Sequence, residues 1–296
     1  MSPFSSRYRF AIAAAASFFL MFQMPDWKFF KDREGNAYFI DQAGKIRVTD
    51  AVPYRYRPVS ARGIDYYLHY GITLIDEHRI EEGLSVLKSI LALPVDNNRV
   101  YKAQVKASER INYLKKRHGP RFSAINDSAS LILIRRESAV TVTNDRMMYG
   151  FSSPDRIEVI RKRDRSGVNF RYSGILFGIG GAGAKPGGPY ELLFAVDCEK
   201  FSLPLKDLSQ AVEKWGENLG HDDLVREVVE RSDTRLVQEF SYRGTPAYSG
   251  MEGIFINGTY SYFVRLLSSG TGYDANRKAI KDIMASFNTV SGGETR

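Results

Sequence analysis

The chain has 296 residues, 43% of them apolar, a formal net charge of +8 and a pI of about 9.4. That length supports one large domain or two to three smaller ones, and the apolar share is enough for real cores. Cys198 is the sole cysteine, which excludes an intrachain disulfide and a cysteine-rich zinc site, and the positive charge favours anionic partners.

Residues 1–26 carry the strongest signal. Arg7 and Arg9 precede an uncharged apolar run, Phe10 to Met24, and Pro25-Asp26-Trp27 follows. A short basic patch before a compact apolar stretch is the pattern of an export signal. The run is about 15 residues long, short of the ~20 that span a bilayer. Its larger apolar residues favour insertion by roughly 0.3–0.6 kcal/mol each, near 3 kcal/mol together, which engages a translocon but is marginal for a permanent anchor. Small residues do not follow the run where a cleavage site needs them. Two outcomes therefore stay open: a cleaved signal peptide, or a retained transmembrane helix acting as signal anchor. Either places the rest of the chain in the periplasm or on the inner membrane facing outward. Export argues against nucleic acid and nucleotides as partners. It directs the basic surface towards a protein or envelope partner, including an anionic membrane surface.

Residues 27–58 read as a small β meander and a linker. Trp27 to Lys31, Ala37 to Ile40 and Lys45 to Val48 are strand-like, and each intervening turn ends in glycine, Gly35 and Gly44. Glycine there suits a left-handed position. Val52 to Pro58, with two prolines and alternating Tyr and Arg, favours an extended path.

Residues 59–120 are helical by apolar spacing: Ile64 to Asp76, Arg79 to Leu93, and Asn97 to Arg117. Tyr67, Tyr70, Gly71, Leu74, Gly83, Leu87, Ile90 and Pro94 fall near the spacing of a tetratricopeptide repeat. This stretch of about 34 residues resembles one such unit, in which small residues let two helices approach closely. No second full repeat follows, and an ordinary helical hairpin accounts for the pattern equally well.

Residues 121–290 alternate like strands at Ser130 to Ile134, Ala139 to Thr143, Ile157 to Lys162, Phe170 to Phe177 and Glu191 to Val196. Further runs are Leu236 to Tyr242, Ala247 to Ile256 and Tyr260 to Leu267. Helices are expected at Ser209 to Asn218, Asp222 to Arg231 and Asp274 to Phe287, the last capped by Asp274. Asn257-Gly258 is the strongest hairpin signal. The order predicts an α+β fold, an antiparallel sheet flanked by helices, preceded by the meander and the short helical module. Residues 291–296 are expected to be a disordered tail.

The stretch Tyr248 to Phe287 has two strands about an Asn-Gly turn, a Gly-rich gap, and a helix ending in I-x-x-I-M-A-S-F. It resembles the PsbP-like group of small exported domains. That resemblance implies a curved antiparallel sheet with flanking helices and roles in binding, assembly or scaffolding, and it supplies no catalytic set.

Several motifs lead nowhere. Gly178, Gly180 and Gly183 fit G-x-G-x-x-G, but the following Lys185-Pro186-Gly187-Gly188-Pro189 cannot open the helix that a dinucleotide site needs. Cys198 with His221 lacks a local nucleophile signature. The four histidines lack metal-ligand spacing. No cofactor, no metal and no catalytic residues are therefore expected.

What remains is exposure-prone composition in three places. These are the Gly178–Gly188 loop with Gly180, Gly183 and Lys185, the basic tip Arg161, Lys162, Arg163 and Arg165, and the helical face of Tyr66, Tyr67 and Tyr70. The reading is an exported, non-enzymatic envelope protein, cleaved or tethered, that acts by protein–protein or protein–envelope binding. A lipid or small-ligand binder, with the ligand between sheet and helices, is the alternative. A hydrolase finds no supporting cluster.

Overall fold

A computed structural model describes residues 28–31, 37–41, 43–48, 56–154, 156–166, 170–181, 188–219, 224–243 and 247–289. Residues 1–26, Gly35, Gly183, Lys185, His221 and residues 290–296 lie outside the described residues. No helix among the described residues is long and apolar enough to cross a membrane.

The described residues begin with the meander β1 (Lys28–Lys31), β2 (Ala37–Ile40) and β3 (Ile46–Val48). Gly44 takes φ 72°, the left-handed conformation anticipated for the second turn. Three helices follow: α1 (Ile64–Asp76), α2 (Ile80–Leu91) and α3 (Asn98–His118). His78, at φ 64°, ends the first, and the Asn97 side chain caps the third, accepting from the Arg99 and Val100 amides at 2.9 Å. After a turn of 3₁₀ helix at Gly119–Arg121 comes α4 (Phe122–Ser128).

Gly71 and Gly83 set the contact between α1 and α2. A Cβ on Gly83 would lie 2.6 Å from the Gly71 carbonyl oxygen and 2.6 Å from Ile75, so only glycine permits this approach. Arg99 binds Asp65 at 2.5 Å and Arg110 binds Asp76. Both pairs span 34 residues. Two ties with one sequence offset make α3 run parallel to α1.

A four-stranded sheet holds β4 (Leu131–Arg136), β5 (Ala139–Asn144) and β6 (Tyr149–Pro154), with β14 (Asn288–Thr289) on the far side of β6. The larger sheet is antiparallel. Its main run is β7 (Ile157–Ser166), β8 (Phe170–Gly180), β9 (Tyr190–Phe201), β13 (Tyr260–Ser269), β12 (Tyr248–Asn257), β11 (Arg235–Tyr242) and β10 (Leu224–Arg231). The meander joins it where Ile46 meets Tyr190. The protein is therefore α+β, with helices flanking a large antiparallel sheet.

The inner face of this sheet packs on the small sheet and on α6 (Tyr273–Ser286). Phe151 lies 4.6 Å from Phe194 and 5.4 Å from Phe177, centroid to centroid, and Phe287 lies 4.8 Å from Phe255. The outer face is covered by α5 (Leu208–Leu219), whose Leu208, Ala211 and Trp215 pack on Leu236, Ile254 and Phe263. The Trp215 indole donates to Ser261 Oγ at 2.7 Å.

Several expectations are corrected. Residues 224–231 form strand β10, not a helix: V-R-E-V-V-E-R is β-branched, and pairing with β11 outweighs its helical spacing. Strand β6 and helix α4 were not anticipated, being short and weakly patterned. α6 starts at Tyr273 after Gly272, so Asp274 sits in its first turn rather than at its cap. The hairpin loop is Gly258-Thr259, closed by the pair Asn257 and Tyr260. The end of the Val52 to Pro58 stretch packs on α2 and β4. Tyr56 is buried, with its hydroxyl 2.9 Å from Ser85 O and 3.1 Å from Leu131 O, because an aromatic ring gains more from burial than from a solvated path.

Candidate functional site

Strand alternation decides what the basic tip offers. Side chains along β7 point to opposite faces in turn. Lys162 and Asp164 therefore share the inner face, while Arg161, Arg163 and Arg165 share the outer one. Lys162 is 4% exposed, and its ammonium lies 2.6 Å from Glu81 Oε1 and 3.1 Å from Asp164 Oδ2 and also donates to Ser128 O. It is a buried tie between the large sheet and α2, which removes it from the expected contact set. A run of basic letters does not show this period of two. Arg161 is half-buried, and Arg163 and Arg165 are exposed.

Register adds two residues that no local signal announced. Arg171 on β8 sits directly opposite Lys200 on β9. Like charges so placed repel. The Lys200 ammonium rests 5.0 Å from the centre of the Tyr260 ring. The carboxylates nearby are engaged elsewhere: Asp164 with Lys162 and Arg146, Glu199 with Lys214, and Asp197 with the Tyr172 hydroxyl. One end of the large sheet is therefore positive, with Arg163 and Arg165 on one face and Arg171 and Lys200 on the other. These last two lie 29 residues apart in sequence and meet only through strand pairing.

The other expected contacts fare differently. Tyr66 is 55% exposed and stacks on Tyr70, with centroids 6.1 Å apart and planes 2° apart. Tyr67 and Tyr70 are half-buried against the core, and burial raises the Tyr70 phenol. Of the three, Tyr66 presents its ring most openly. Gly180 closes β8, its amide donating to Arg156 O at 3.3 Å.

The large sheet also carries a buried polar row. Asp164, Ser173, Cys198 and Tyr262 are successive cross-strand partners on β7, β8, β9 and β13. The turn between β5 and β6 roofs them. The Cys198 thiol lies 3.7 Å from Met147 O, and the Tyr262 hydroxyl donates to Met148 O at 3.1 Å. Burial pushes the Cys198 thiol well above its ordinary pKa, and the neighbouring charges of Asp197 and Glu199 add to this. Burial likewise raises the phenols of Tyr149 and Tyr262. A thiol held neutral in this way is a poor nucleophile. Asn144 lies near the Tyr149 hydroxyl without hydrogen-bond geometry. Among the described residues, no cluster of three His, Cys, Asp or Glu is placed to hold a metal.

No protein-family model matches the chain, and no curated protein matches it. Several solved structures share part of its form. A Bacteroides thetaiotaomicron crystal structure is 14% identical over 50% of this chain and 47% of that one, with a TM-score of 0.30. This chain thus spans about half of that protein. The solution structure of cyanobacterial PsbP (CyanoP) from Synechocystis is 12% identical, covering 53% of this chain and 95% of that one, with a TM-score of 0.33. The extracellular domain of PknH from Mycobacterium tuberculosis is 9% identical, covering 45% and 86%, with a TM-score of 0.28. PsbP names the group that Tyr248 to Phe287 resembles in sequence, but similarities at these scores carry no argument about function, which rests on the residues themselves.

Proposed function

We propose that this is an exported cell-envelope protein that works by binding, in a scaffold or assembly role, through contact with an anionic partner. The observation that carries the reading is the juxtaposition of Arg171 and Lys200. Two cations directly across a strand pair cost stability, and that cost is offset when an anionic group lies between them. Export rests on the basic and apolar pattern of residues 1–26.

The packing under α6 favours binding by surface over enclosure of a ligand. Phe287 contacts Phe255, Tyr149 and Tyr262 at centroid distances of 4.8, 5.6 and 5.9 Å. Those rings occupy the space between sheet and helix in which an apolar ligand would lie.

Salt elution of the full chain from a phosphate-bearing matrix tests the contact. Reversing Arg171 and Lys200 together should lower the eluting salt concentration more than reversing Lys102 and Lys106 on α3. Equal shifts would show that net charge alone is at work and would overturn the assignment.

A further inference from the structure

The basic sheet end also carries the most exposed large apolar side chain among the described residues. Leu203 is 74% exposed. It lies in the connection from β9 to α5, Ser202 to Asp207, just past Lys200. That connection is pinned to the hairpin between β12 and β13: the Phe201 amide donates to Thr259 O at 2.8 Å and the Leu205 amide to Gly258 O at 3.0 Å. Leu203 is thus held out on a braced loop. Lys206 follows it, exposed, while Asp207 is spent capping α5 by accepting from the Gln210 amide at 3.1 Å. Lys200 and Arg171 lie at the same end, on the inner face, with Arg163 and Arg165 on the outer face.

An isolated exposed leucine is ordinary. A leucine on a fixed loop, at a sheet end that also carries Arg165, Arg171, Lys200 and Lys206, is the arrangement that suits the boundary between lipid headgroups and acyl chains. The apolar side chain enters the boundary while Lys and Arg meet the phosphates. We infer that this sheet end docks on an anionic lipid bilayer, with Leu203 inserting and Arg165, Arg171, Lys200 and Lys206 contacting headgroups. The inference rests on the anionic-partner reading above and commits it to lipid.

Co-sedimentation of the full chain with vesicles tests it, comparing phosphatidylglycerol–phosphatidylcholine mixtures with phosphatidylcholine alone. The neutral vesicles measure whatever the apolar leader contributes. Binding to the anionic vesicles should exceed that baseline and fall as salt shortens the screening length. R171Q/K200Q should weaken it about 30-fold, and Leu203→Ser about tenfold, with circular dichroism unchanged in each. Anionic binding lost in R171Q/K200Q but unchanged in Leu203→Ser would overturn insertion. Retention on the phosphate-bearing matrix without any preference for anionic vesicles would overturn the lipid assignment, leaving an acidic macromolecule as the partner. Failure on both would remove the anionic reading itself.

Discussion

Lys162 on the large sheet reaches Glu81 on α2, ammonium to carboxylate at 2.6 Å, a tie between the helical module and the main sheet across 81 residues. Lys162 is almost fully buried while Glu81 is 38% exposed. The two partners should therefore respond differently to removal. Lys162→Ala takes from Asp164 one of its two cations, leaving Arg146 at 3.3 Å, and should cost about 3 kcal/mol of unfolding free energy, the usual penalty for breaking a buried ion pair. Glu81→Gln should cost about 1 kcal/mol or less. Chemical denaturation of both variants gives the comparison.

Gly83 and Gly216 form a matched pair of opposite sign. A Cβ on Gly83 meets the backbone of Gly71, whereas nothing lies within 4 Å of a Cβ on Gly216 in α5. Gly83→Ala should destabilise by about 2 kcal/mol, because backbone cannot yield as a side chain can. Gly216→Ala should stabilise by up to ~1 kcal/mol through helix propensity. Thermal unfolding reads both.

Cys198 should behave as an inert core thiol. At pH 8 iodoacetamide should leave it unmodified in the native protein and alkylate it fully in denaturant, as followed by mass spectrometry. Rapid native alkylation would contradict its burial and reopen the case for nucleophilic chemistry on the polar row.

Glu239 should contribute a pH-dependent increment. Desolvation raises its pKa, but hydrogen bonds from Tyr273 and Arg277 outweigh this and leave it below the ordinary value. A carboxylate depressed in the folded state stabilises above its unfolded pKa, and that contribution is lost as pH falls through the folded value. The stability difference between the parent and Glu239→Gln should thus be full at neutral pH and shrink on acidification below about pH 4.5. Denaturant titrations across that range measure it.

Much of the architecture was legible in local pattern. The stripe Val100, Ala103, Ala107, Leu114 marks α3, and Asn97 marks its start, because a cap and a helical period are both short-range signals. The aromatic strand beginning at Tyr260 and the turn before it were equally plain. What escaped depends on partners distant in sequence. The strand state of Leu224 to Arg231 comes from β11, the burial of Tyr56 comes from Ser85 and Leu131, and the facing of Arg171 by Lys200 comes from register. The basic tip was visible as letters, but the inward turn of Lys162 follows from the phase of β7, which composition does not carry. The 34-residue ties of Arg99 to Asp65 and Arg110 to Asp76 were hidden for the same reason.

Cellular location tests the central claim most directly. Protease added to intact spheroplasts, with immunodetection through the C-terminal helix α6, should digest the mature chain, and N-terminal sequencing should show whether residues 1–26 are kept. A full-length chain protected from protease and recovered in the cytosol would contradict an envelope role, whatever the sheet end binds in vitro.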